Sequence, residues 1–146
     1  MTTPPLATIG YERATLDEVI GRLKAASVEV VIDVRAVAAS RRAGFSKTML
    51  GASLNAAGIG YRHLRGLGTP KAGRDAARAG RTGEMRAIFA EHLTEPQAQL
   101  ALSEACEIAA VQRAALLCFE AEACQCHRAI VADLIHDAIG CTIVNL

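Results

Sequence analysis

Three cysteines, a histidine and an arginine fall within the eleven-residue stretch CFEAEACQCHR at 118–128. Side chains of this kind serve nucleophilic, redox or metal chemistry, and each use demands its own geometry. Cys126, His127 and Arg128 open a stretch with helical periodicity. A thiol at a helix N-terminus feels the positive end of the dipole, and cationic neighbours favour its thiolate further, so Cys126 is the first candidate nucleophile. His127 is a candidate acid or base, although adjacent helical residues do not face each other. Arg128 is a candidate clamp for an oxyanion. Cys118 competes for the nucleophile's role, because it closes an apolar run ahead of the loop with Glu120 beside it. The plainer alternative makes Cys126 a small buried hydrophobe, His127 a surface residue and Arg128 half of an ion pair.

Two further uses of the sulfurs follow from spacing. A bridge from Cys118 to Cys126 would make the loop a redox switch, if their Cα atoms come within ~4.4–6.8 Å. Cys118, Cys124, Cys126 and His127 are all groups that zinc accepts. Their C-x5-C-x-C-H spacing is not a usual zinc pattern, and neither a metal nor a cofactor is expected.

Other polar residues follow apolar runs elsewhere in the chain. Asp33 and Arg35 close the run VEVVIDV, either as an ion pair that fixes the site or as a general base with an anion clamp. Tyr11, Glu12 and His63 stand in equivalent positions and are candidates to line a substrate pocket. Arg41, Lys47, Lys71 and Arg74 are candidates to bind an anion. The Walker pattern and GxGxxG are both absent, which leaves an ATPase or an NAD-linked enzyme unsupported.

Charge supports the anion. The net charge is +1, yet residues 35–86 carry eleven Lys and Arg against Asp75 and Glu84, a local excess of +9. A surface of that sign attracts a phosphate, a nucleotide or a nucleic-acid backbone; the plain reading is a solvated basic face. Aromatic residues make up 3% of the chain, so stacking platforms for single strands look sparse.

The elements that must position these groups alternate along the chain. Apolar runs at 6–11, 28–34, 59–64, 114–120 and 141–146 predict five strands. Thr15 and Glu18 form the pattern of a capping box, in which each side chain satisfies an orphan helix N–H. Helical spacing predicts helices after Thr15 and over 47–57, 84–93, 96–112 and 128–139. Residues 65–83, rich in glycine and basic side chains, predict a long loop, of the kind that is usually functional or disordered. Strands separated by helices imply right-handed crossovers, hence a single three-layer α/β domain spanning 1–146, with a mostly parallel sheet of about five strands. Ligands of such sheets sit beyond the carboxyl ends of the strands, where the candidate residues cluster. No apolar stretch reaches the ~18–20 residues of a membrane span, and the start lacks the pattern of a secretory signal. Five cysteines, an odd number, fit free thiols in a reducing compartment better than a disulfide framework.

The ordered set TIGYE, DVR with SRRAGFSK, YRHLRGLGTPK and LLCFE with CHR resembles the bacterial domain-of-unknown-function family numbered 488. The resemblance runs from Thr8 to the terminal strand. It implies an α/β fold and a cytoplasmic bacterial protein, and it supplies no reaction. Arg13 stands where the family pattern usually carries a glycine, and Cys124 is additional to the family's cysteine spacing. More loosely, VVIDVR resembles a rhodanese element, and a cysteine at a strand's carboxyl end is the arrangement of rhodanese-like sulfurtransferases and Cys-based phosphatases, although the nine residues between Cys118 and Arg128 are too many for a tight phosphate loop.

Three readings follow. The first is a thiol-dependent transferase or hydrolase acting on an anionic substrate, with its site at the strand ends. The second is a nucleic-acid or nucleotide-binding protein without covalent chemistry. The third is rhodanese-like thiol or redox chemistry.

Overall fold

The computed structural model describes residues 3–120 and 127–146. Five strands, β1 (Leu6–Gly10), β2 (Val30–Asp33), β3 (Gly60–His63), β4 (Ala114–Cys118) and β5 (Ile143–Asn145), form one sheet in the order β3-β2-β4-β1-β5, with every pairing parallel. The crossovers carry α1 (Leu16–Ala25), α2 (Lys47–Ala56), α3 (Lys71–Arg78), α4 (Thr82–His92), α5 (Pro96–Val111) and α6 (His127–Ile139). No helix among the described residues is long and apolar enough to cross a membrane.

Side chains alternate across a strand, so each strand contributes to two cores. Ile9, Val31, Ala115 and Leu117 pack with Val19 and Leu23 of α1 and Leu50 and Leu54 of α2. Val30, Ile32, Ala114 and Leu116 face the other way, against Ala76, Phe89, Ala105 and Val131 of α3 to α6. The three inner strands are buried along their whole length and read as unbroken apolar runs, whereas the edge strands β3 and β5 are partly exposed. Full burial of each Leu, Ile or Val contributes roughly 1.5–3 kcal/mol, which is why these positions tolerate no polar group that lacks a partner.

The crossovers also place the site. The chain leaves β1 and β2 toward α1 and α2 on one face, and leaves β4 toward α6 on the other. Strand β4 lies between β1 and β2, so the direction of exit reverses on both of its sides. The crevice therefore opens at its carboxyl end.

Two expectations are corrected. Residues 65–83 are not a loop: a 3₁₀ turn (Arg65–Leu67) leads into α3, and α4 begins at Thr82. The buried face of α3 is made of Gly73 and Ala76, too small to print an apolar period on the sequence. A Cβ at Gly73 would stand 2.4 Å from Thr69 Cγ2, so only glycine lets the helix seat this closely. The capping box is half formed. Thr15 Oγ1 accepts from the Glu18 N–H at 3.2 Å, but the Glu18 carboxylate takes the threonine hydroxyl instead of a backbone N–H.

Candidate functional site

A cleft of about 810 Å³ opens over the carboxyl ends of β1, β2 and β4. Its lining includes Tyr11 and Glu12 after β1, Arg35 after β2, and Cys118 and Glu120 at the end of β4. Gly10 makes this convergence possible. It pairs in register with Cys118, and a Cβ there would stand 1.7 Å from the Glu120 carbonyl oxygen and 2.8 Å from Arg128 Nη1. Any side chain at position 10 would push the β4 exit and the guanidinium off the end of β1.

On the α1/α2 face, Asp33 is fully buried and both carboxylate oxygens are engaged. Arg35 donates to it from Nε at 2.9 Å and from Nη2 at 2.7 Å, and the Tyr61 hydroxyl donates to Oδ2 at 2.6 Å. The Nη1 group of Arg35 is bonded to the Tyr11 hydroxyl at 3.1 Å and the Phe45 carbonyl at 2.7 Å. A guanidinium has five N–H donors, so this geometry leaves one Nη2 N–H for anything else. Burial alone would lower the Arg35 pKa, but the bonds to Asp33 outweigh it and hold the group charged. Burial, with the bond to Asp33, raises the Tyr61 pKa and keeps its proton in place. Asp33 therefore stands in the ion-pair arrangement, away from the cleft lining, and four of the five Arg35 N–H donors are committed to partners inside the protein. His63 is likewise not among the lining residues. Its Nε2 lies 2.7 Å from the Arg35 carbonyl, which only accepts, so Nε2 carries the proton and ties β3 to the Arg35 backbone.

On the α6 face, Cys118 lies at the cleft floor, 1% exposed. It is disulfide-bonded, while among the described residues Cys106 and Cys141 are free thiols. The expectation of free thiols thus holds at those two positions and not at Cys118. The buried guanidinium of Arg128 donates to Cys118 Sγ at 2.9 Å and to the Glu120 carbonyl. Glu120 Oε2 stands 3.4 Å from the same sulfur, close enough to accept from the thiol form. Burial raises the Glu120 pKa, with the nearby Glu12 adding to the shift and Arg128 opposing it. His127 Nε2 donates to the Val34 carbonyl at 2.8 Å, and its ring meets Phe89 edge-on at 5.2 Å. Burial pushes its pKa down to about 4, so at neutral pH it is an uncharged imidazole. Cys126, the first candidate nucleophile, and Cys124 lie outside the described residues.

The cations divide. Arg41 and Arg74 line the cleft, Arg41 exposed and Arg74 held through Nη1 by the Thr69 carbonyl at 2.8 Å. Lys47 stands exposed at the start of α2, and Lys71 at the start of α3 pairs with Asp75 at 2.9 Å; neither lines the cleft. Arg78 and Phe119 also line it and escape the sequence reading. Arg78 lies one helical turn beyond Arg74, a signal available only once α3 is recognised as a helix. Phe119 continues the apolar run of β4 between Cys118 and Glu120, and nothing in its immediate sequence marks it as exposed.

Arg13 adopts φ 62, the left-handed region that favours glycine. This fits a turn where glycine is the usual choice. Residues 15–135 match the family model described as Domain of unknown function DUF488. No curated protein and no solved structure matches the chain.

Proposed function

The chain belongs to the DUF488 family, whose description assigns no reaction, and from its own geometry we propose an enzyme that acts on an anionic, phosphate-containing substrate through the sulfur of Cys118. One observation carries this reading. A sulfur on the cleft floor lies within reach of both a guanidinium (Arg128) and a carboxyl of raised pKa (Glu120), beneath walls bearing Arg41, Arg74 and Arg78. Three guanidiniums suit the oxygens of a phosphate group, which they bind in paired, charge-assisted hydrogen bonds.

The sulfur enters the chemistry after a dithiol reductant opens its disulfide and is itself oxidised. Arg128 then favours the thiolate by placing positive charge beside it. The thiolate attacks phosphorus, the bond from phosphorus to the leaving oxygen breaks, and Glu120 gives that oxygen its proton. Water, or an acceptor hydroxyl, attacks next and returns a proton to Glu120 as the thiolate departs. A raised pKa suits Glu120 to the first step, because more of it remains protonated near neutrality than of an ordinary carboxyl. The disulfide at Cys118 favours one second reading, in which the cleft performs thiol–disulfide exchange and the cations select an anionic thiol.

Titration of the reduced protein with inorganic phosphate, followed by phosphorus NMR, tests the anion site. Binding should weaken steeply as salt rises, and Arg74→Ala should lower affinity by roughly tenfold, a charge-assisted hydrogen bond's worth. Absence of phosphate binding at low salt would contradict the proposal.

A further inference from the structure

We propose that the substrate carries a flat nucleobase beside its phosphate, and that the exposed ring of Phe119 is the shelf on which that base stacks. This rests on the anion reading of the same cleft and goes beyond it by naming the class of substrate, a nucleoside phosphate.

The chain has three phenylalanines, and two of them, Phe45 and Phe89, are buried to 1% or less. Phe119 is 42% exposed, and it lines the cleft. Its backbone is fixed, since its carbonyl accepts from the Glu12 N–H at 2.8 Å. Its ring is braced from behind: Tyr11 meets it edge-on at 5.4 Å and 81°, and Tyr11 itself stacks on Phe45 at 4.3 Å and 10°. This buttress holds an apolar face in water next to charged neighbours. An ordered aromatic left wet in this way gains most from a planar partner, because base–aromatic stacking joins area burial to π contact.

The rest of the lining suits the same ligand. Val37, 54% exposed, and Ala36, Ala39 and Met85 add apolar surface, while Arg41, Arg74 and Arg78 supply the positive charge. Inorganic phosphate or a sugar phosphate would use the cations and leave the apolar wall wet. A nucleotide uses both, and the ~810 Å³ cleft falls within the usual range for a ligand of that size. A free nucleotide and the terminal nucleotide of a nucleic acid present the same base and phosphate, so the test separates these two sources.

The experiment is calorimetric titration of the reduced full chain, at one fixed salt concentration, with inorganic phosphate, ribose 5-phosphate, AMP and a short oligonucleotide. AMP should bind roughly 5- to 150-fold more tightly than ribose 5-phosphate, the range of one base–aromatic stack. Phe119→Ala should erase that difference and leave the affinity for inorganic phosphate unchanged, and Phe119→Tyr should keep it. An oligonucleotide that binds more tightly than AMP, with the same dependence on Phe119, supports the inference and places the nucleotide at a strand end. Equal affinity for AMP and ribose 5-phosphate, or a preference for AMP that survives Phe119→Ala, overturns the inference. If inorganic phosphate and ribose 5-phosphate bind while the base adds nothing, only this inference falls. If no phosphate compound binds, the anion reading falls with it.

Discussion

On the α1/α2 face of the sheet, Asp33 and Arg35 neutralise each other in full burial, and two tyrosine hydroxyls and a backbone carbonyl complete the network. On the α6 face, three groups of different chemistry meet at one point: the sulfur of Cys118, the guanidinium of Arg128 and a carboxyl whose charge burial disfavours. Both regions stand at strand carboxyl ends and both bury charge. They differ in what the charge can still do. The first is closed, with nearly every donor and acceptor matched to a partner inside the protein, so it holds the loop after β2 in place and has little left to offer a ligand. The second faces the cleft with groups whose protonation and oxidation states can change. Buried charge becomes scaffold where the partners are complete, and chemistry where a proton or an electron pair can still move.

The comparison breaks most visibly if the closed network is opened. Asp33→Ala leaves the Arg35 guanidinium buried without its carboxylate, and such a loss costs roughly 3–5 kcal/mol. Urea unfolding should show this as a drop in midpoint at unchanged slope. A cost below about 1 kcal/mol, the range of surface pairs, would mean that the pair is not the scaffold described here.

A smaller effect sharpens the other side. The His127 pKa is about 4 in the folded protein, below its unfolded value of about 6.5, so the unfolded chain binds the extra proton first as pH falls. The stability associated with neutral His127 is complete above about pH 6.5, drains away between there and about pH 4, and amounts to roughly 3–3.5 kcal/mol. Denaturant midpoints across that window, compared with those of His127→Gln, check it. The wild-type curve should fall more steeply than the variant's, and parallel curves would remove His127 as a buried neutral group.

Much of this arrangement is legible in the chain before any coordinates. The runs LATIGY, VEVVIDV and AALLCFE are apolar at both parities, which marks strands covered on two faces, and they are β1, β2 and β4. Asp33 ends its strand and Arg35 follows two residues later, a separation at which a carboxylate and a guanidinium can meet, so their pairing was within reach of the sequence. The strand carboxyl ends were marked as the ligand side by the alternation of strands and helices, but the position of the cleft at β4 depends on the spatial strand order, which the sequence does not carry. Other features were hidden for physical reasons. The inward face of α3 has only glycine and alanine, and periodicity carries no signal without bulky side chains. The exposure of Phe119 depends on Tyr11 and Phe45, which reach it from distant parts of the chain. The commitment of Arg35 to Tyr11 and Phe45 is equally non-local, and it narrows the role of an anion clamp expected from DVR.

The central claim is that Arg128 sets the state of the Cys118 sulfur. Ultraviolet thiolate absorbance of the fully reduced protein, recorded against pH as the difference between wild type and Cys118→Ser, reads that state without requiring access to a buried atom. The difference signal marks the pH at which the Cys118 thiol ionises. It should move upward in Arg128→Met, less so in Arg128→Lys. A curve that the Arg128 variants leave in place would contradict the account.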